Sequence, residues 1–163
     1  MFWWWLLACS GGDPADTSEP GDSDSAATEG EIDLPDSPFP LELQLDGAES
    51  LTFDGLTCNH PPNQQLQLTY HSTGSWSLRV FVREAFTGAG TYSTDVDVQL
   101  FENFTGGRYY TGDQDSGASV EIEAVGTNGA HGSFTVDALT SDLGEGVLSP
   151  QPVPIWCDAL VEE

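Results

Sequence analysis

Apolar and polar residues alternate along most of the chain between residues 41 and 138. Leu41, Leu43 and Leu45 set the pattern, and Leu51 and Phe53 continue it. The runs Leu66, Leu68, Tyr70 and Trp76, Leu78, Val80, Val82 follow, then Val96, Val98, Leu100, then Val120, Ile122, Ala124, then Phe134, Val136, Ala138. A period of two sends one set of side chains to a core and the other to water, which predicts β-strands with one wet face. The interleaved residues, among them Gln44, Thr52, Gln67, Thr69, Arg79, Gln99, Glu121 and Thr135, suit the solvated side of an antiparallel sheet. No segment carries a helical stripe.

Glycine-bearing breaks separate the runs at Asp46-Gly47, Ser72-Thr73-Gly74-Ser75, Gly88-Ala89-Gly90, Gly106-Gly107, Asp115-Ser116-Gly117 and Thr127-Asn128-Gly129. Glycine and asparagine supply the positive φ angles of tight turns. Prolines are absent from Asn63 through Ser149 but occur at Pro40, Pro61, Pro62, Pro150, Pro152 and Pro154. The paired sheet is therefore expected in the middle and the edge segments at either end. About seven to nine short strands in residues 39–163 predict an all-β, antiparallel β-sandwich, with a β-barrel as the alternative.

Charge removes several functions. The chain has 27 acidic residues against 3 basic ones, Arg79, Arg83 and Arg108, for a formal charge of −24. With no basic patch to neutralise phosphates, nucleic acid is excluded as a partner.

The first nine residues, Met1 to Cys9, are all apolar and end abruptly at Ser10-Gly11-Gly12-Asp13. A run this short cannot cross a bilayer, which takes about 20 apolar residues in a helix, and reads as the apolar region of an export signal. Residues 10–38 carry acids from Asp13 to Asp36, no basic residue and few apolar ones. They are expected to form a disordered tether with a root-mean-square span of roughly 30 Å.

Leu6-Leu7-Ala8-Cys9 resembles the lipobox of bacterial lipoproteins, and with the acidic leash behind it the N-terminal region is similar to surface lipoproteins of myxobacteria and related bacteria. Leu7 is bulkier than the usual occupant, and the segment lacks the positive start of most signals, as an incorrectly assigned start codon would also produce. The resemblance implies a lipid on Cys9, a membrane as partner through that anchor, and a location in the cell envelope, at the outer membrane or cell surface. Residues 39–163 are then the exported domain. Its stretches Gly90-Thr91-Tyr92, Ser119-Val120-Glu121-Ile122 and Gly132-Ser133-Phe134-Thr135-Val136 resemble β-sandwich domains of unknown function in such lipoproteins.

With Cys9 assigned to the lipid, Cys58 and Cys157 remain as an even pair in an oxidising compartment, and a disulfide between them is expected. Cys58-Asn59-His60 offers zinc two ligands, but the spacings fit no familiar four-ligand set. Serine catalysis lacks a Gly-x-Ser-x-Gly elbow, the acid pairs Asp95/Asp97 and Glu121/Glu123 suit a wet strand face, and no enzyme is expected. Asp113-Gln114-Asp115-Ser116-Gly117 resembles the start of a calcium loop with its glycine one position early, so Asp113 and Asp115 are candidate calcium ligands. No other cofactor is implied. Tyr109 and Tyr110 are adjacent, so on a strand one of them faces outward, where it can stack on a sugar or a partner. Trp76 and Trp156 are expected in the core. The resulting expectation is an anchored structural or interaction module with an envelope protein or glycan as partner. The alternative is a carbohydrate- or calcium-binding module of the same build.

Overall fold

The computed structural model describes residues 30–61 and 65–161, and the lipobox, Cys9 and most of the expected tether lie outside them. The described chain is all-β apart from one turn of 3-10 helix, and none of its helices is long and apolar enough to cross a membrane. Three antiparallel sheets form, and none of them closes into a barrel. The first, in the order β13-β1-β2, comprises β1 (Leu41–Leu45), β2 (Glu49–Phe53) and β13 (Leu148–Ser149). The second, β14-β10-β9-β6, comprises β6 (Gly90–Tyr92), β9 (Ser119–Gly126), β10 (Gly129–Thr135) and β14 (Val153–Cys157). Seven strands make up the third, β12-β11-β8-β7-β5-β4-β3: β3 (Gly55–Asn59), β4 (Leu66–His71), β5 (Trp76–Val82), β7 (Val96–Glu102), β8 (Tyr109–Gly112), β11 (Leu139–Ser141) and β12 (Gly144–Gly146).

The alternating runs became β1, β2, β4, β5, β7, β9 and β10, and their apolar positions are buried almost throughout. The strand total exceeds the expected seven to nine because β6, β11, β12 and β13 are only two or three residues long and too short to show a period. Strand β3 buries only Cys58, so it shows no period either. Strand β14 contains Pro154 and sits at a sheet edge, where a missing N–H leaves no ladder bond unmade.

One core lies between the seven-stranded sheet and the two smaller sheets. Tyr70 on β4 reaches both of them. Its ring lies 5.9 Å from those of Phe53 on β2 and Phe134 on β10, and 6.4 Å from Phe39. Its buried hydroxyl donates to the Pro154 carbonyl on β14 at 2.9 Å, so the polar atom carried into the core has an acceptor there. Between His131 and Gly132 the β9–β10 register shifts by a residue. A side chain at Gly132 would collide with the Glu121 carbonyl, which explains glycine at this bulge.

Cys58 and Cys157 form a disulfide with their Cα atoms 5.9 Å apart, joining β3 of the large sheet to β14 of the four-stranded sheet. Beyond it the chain turns back to the same edge, where Asn59 and Val161 make a parallel bridge. Trp156 is a correction: it lies half-buried on the outer side of β14, and its indole N–H donates to the Pro35 carbonyl at 2.8 Å. The expected tether, residues 10–38, also changes at its C-terminal end. The Asn128 side chain makes two bonds with the Ile32 backbone, at 2.8 and 2.9 Å, and Thr127 N–H donates to the Gly30 carbonyl. Residues 30–35 are thus held against the four-stranded sheet.

Candidate functional site

The outer face of the seven-stranded sheet holds the most varied chemistry. Cross-strand registers place Thr57, Thr69, Arg79, Gln99, Thr111, Thr140 and Glu145 in one row from edge to edge. Beside it run Phe81 and Asp97 on one flank and Phe101 and Tyr109 on the other. All point outward because their neighbours in sequence point into the core.

Parity separates the two tyrosines. Tyr109 is 48% exposed, whereas Tyr110 is 6% exposed and packs against Trp76 with ring centres 6.4 Å apart. Tyr110 therefore leaves the set of candidate binding residues, since its register with Leu100 turns it inward. Tyr109 rests beside Phe101 at 6.3 Å, and the Arg79 guanidinium lies over the Phe101 ring at 5.0 Å. The three side chains make a continuous ladder over β8, β7 and β5, in which a cation on an aromatic face is attracted by the ring quadrupole.

Next to this ladder is a shallow groove. One part, of about 470 Å³, is lined by Gly107, Tyr109, Thr111, Thr140, Ser141 and Asp142. It continues past Gln99, Thr111 and Thr140 to Asp97 and Asp113, and a further concavity of about 400 Å³ holds Asp95, Asp97, Asp113 and Asp115. Tyr109 thus stands at one end, beside a single carboxylate, Asp142, and four carboxylates gather at the other.

The acidic end is largely occupied by its own structure. Asp113 Oδ1 accepts from Asp115 N–H at 3.0 Å, from Ser116 N–H at 3.2 Å and from the Ser116 hydroxyl at 3.3 Å. It caps the 3-10 turn Gln114–Ser116, whose end is Gly117 at φ 69°, and this turn carries the chain from β8 to β9 in the other sheet. The Asp-x-Asp-Ser-Gly pattern is accounted for by that capped crossover. Among the described residues, no group of three or more His, Cys, Asp or Glu is placed to hold a metal ion. Asp97 is bound by Arg83 at 2.6 Å.

At the rim, Arg108 bridges Glu49 at 2.7 Å and Glu102 at 2.9 Å and lies over Trp76 at 4.8 Å. Hydrogen bonds from Arg108 hold the Glu102 carboxyl below its ordinary range, and the same bonds push the guanidinium up. This network ties β2 to the large sheet. The histidines lie apart from it. His71 Nε2 is 2.6 Å from Thr57 Oγ1, His131 is 3.2 Å from Glu123, and His60 packs edge-on against Phe86.

Arg79 was legible only as one of the polar partners on a wet strand. Its signal lay in its neighbours, because β5 also turns Phe81 outward, and aromatic residues on a solvated face need a reason. Comparison of the chain with protein-family models, with curated proteins and with solved structures yields no match.

Proposed function

We propose that this chain is an exported lipoprotein, moored through Cys9, whose β-sandwich is a carbohydrate-binding module of the cell envelope. The observation that carries the binding role is Tyr109, 48% exposed, set beside Phe101 at the mouth of a groove lined by the hydroxyls of Thr111, Thr140 and Ser141 and the carboxylate of Asp142. A flat ring next to such groups suits a sugar, which offers an apolar C–H face and hydroxyls at its rim. The face is open and the groove shallow, as fits a chain of sugars lying across strands.

The Cys58–Cys157 disulfide supports export, since such bonds persist in oxidising compartments. Anchoring rests on the lipobox resemblance of residues 6–9. A single acyl chain holds a protein only marginally, so the anchor carries more than one chain. Two measurements test the whole. Mass spectrometry of membrane-extracted protein should find a lipid-modified cysteine at the mature N-terminus, and an unprocessed chain in the soluble fraction defeats the anchor. A glycan array should give a signal that Tyr109→Ala lowers by about tenfold, and a blank array defeats the binding role.

A further inference from the structure

Arg79 stands out by what it lacks. In a chain with 3 basic residues and 27 acidic ones, every arginine has carboxylates in reach of chance. Arg83 holds Asp97, and Arg108 holds Glu49 and Glu102. Arg79, in the middle of the seven-stranded sheet, is in no ion pair among the described residues, and its buried Nε has no hydrogen-bond partner. Its cross-strand neighbours are Thr69 and Gln99, both uncharged, and the acid diagonal to it, Asp97, is taken by Arg83. Phe101 fixes the guanidinium from one side at 5.0 Å. A half-buried, positioned and unpaired cation in so acidic a protein calls for an anionic partner from outside.

We infer that the sugar taken by this face is acidic, carrying a carboxylate that Arg79 binds. The inference rests on the carbohydrate reading above and adds the class of ligand. With Nε buried, the carboxylate meets the two terminal amino groups, a fork that matches its two oxygens. The sugar ring lies toward Phe101 and Tyr109, and Gln99 and Thr111 on the adjoining strands face its hydroxyls. The charge of −24 repels densely sulfated or phosphorylated polymers, so the match is to a glycan with one carboxylate at this position. A peptide of acidic residues fits less well, because the groove offers no apolar pockets for its other side chains.

The test uses the full chain with its disulfide intact and two probes that differ only in charge: aldotriouronic acid, a xylobiose bearing one glucuronate, and its neutral methyl ester. Titration calorimetry should show the acid binding about tenfold or more tighter than the ester. Arg79→Gln should bring the acid-to-ester ratio to within about twofold of one, and Arg79→Lys should restore part of it. Tyr109→Ala should weaken acid and ester alike. Equal binding of the two probes, unmoved by Arg79→Gln but lowered by Tyr109→Ala, overturns the acidic sugar and leaves the carbohydrate face standing. Binding of neither probe, with Tyr109-dependent binding of a neutral glycan on the array, overturns it in the same way. If neither probe nor any glycan binds, both readings fall. Arg79-dependent capture of a polyglutamate peptide without sugar binding replaces them with a protein partner.

Discussion

Reducing the Cys58–Cys157 bond should destabilise the domain by about 4 to 5 kcal/mol. The two cysteines are 99 residues apart in sequence, so the bond closes most of the folded unit into one loop. In the chain-entropy model a loop of this length removes roughly that much freedom from the unfolded state, an upper figure where the unfolded chain keeps some structure. Reduction is a cleaner perturbation than Cys58→Ala with Cys157→Ala, because both residues are buried and the alanines would add cavities to the loss. Guanidinium denaturation gives the measurement. With a slope of about 3 kcal/mol/M for a domain of this size, the midpoint should fall by about 1.3 to 1.7 M on reduction. Locally, the segment after Cys157 is also pinned by Val161 N–H to the Cys58 carbonyl at 3.0 Å and by His60 N–H to the Val161 carbonyl at 2.8 Å. Those two amides should exchange with deuterium faster once the bond is reduced. A midpoint that moves by less than about 0.3 M, near 1 kcal/mol, would refute the entropic account.

Three further outcomes follow from a half-buried carboxylate and a buried phenol. The Glu102 carboxyl is held below its ordinary value of 4.5 by Arg108, so the unfolded chain takes up its proton first on acidification. Stability should thus be level above about pH 5 and fall as the pH drops through the folded value, and Glu102→Gln should flatten that slope in melting scans; an unchanged slope would show that the bridge contributes nothing. Tyr70→Phe removes the donor to the Pro154 carbonyl and should cost about 1 kcal/mol with no change in denaturation slope. Because burial raises the Tyr70 phenol above its ordinary value of 10.0, ultraviolet titration should find it silent there until alkali unfolds the chain.

The seven long or regular strands were legible because each needed only parity, which the residues themselves carry. Phase between sheets was not. Tyr109 and Tyr110 differ in burial because β8 pairs Tyr110 with Leu100, and nothing in the pair of letters says which one faces in. Trp156 looked like core by size and hydrophobicity, yet its neighbours Ile155 and Cys157 take the inward positions of β14 and leave it outside. It is half-covered there by a segment that composition had assigned to the tether. The Tyr109–Phe101–Arg79 ladder joins three strands whose order no local pattern encodes, so its members could be named singly but not assembled.

That same segment leaves the candidate face uncovered. Residues 30–35 run along the β9–β10 hairpin and over Trp156, on the outer side of the four-stranded sheet. The Tyr109 ladder lies on the outer side of the seven-stranded sheet, with the core between the two. Residues 30–35 therefore lie on the side of the domain away from the groove and cover none of the Tyr109 ladder. The separation has a chemical side as well. Glu31 and Asp33 lie with this segment on the side opposite Arg79, so they do not offer their carboxylates to an arginine that is in no ion pair among the described residues.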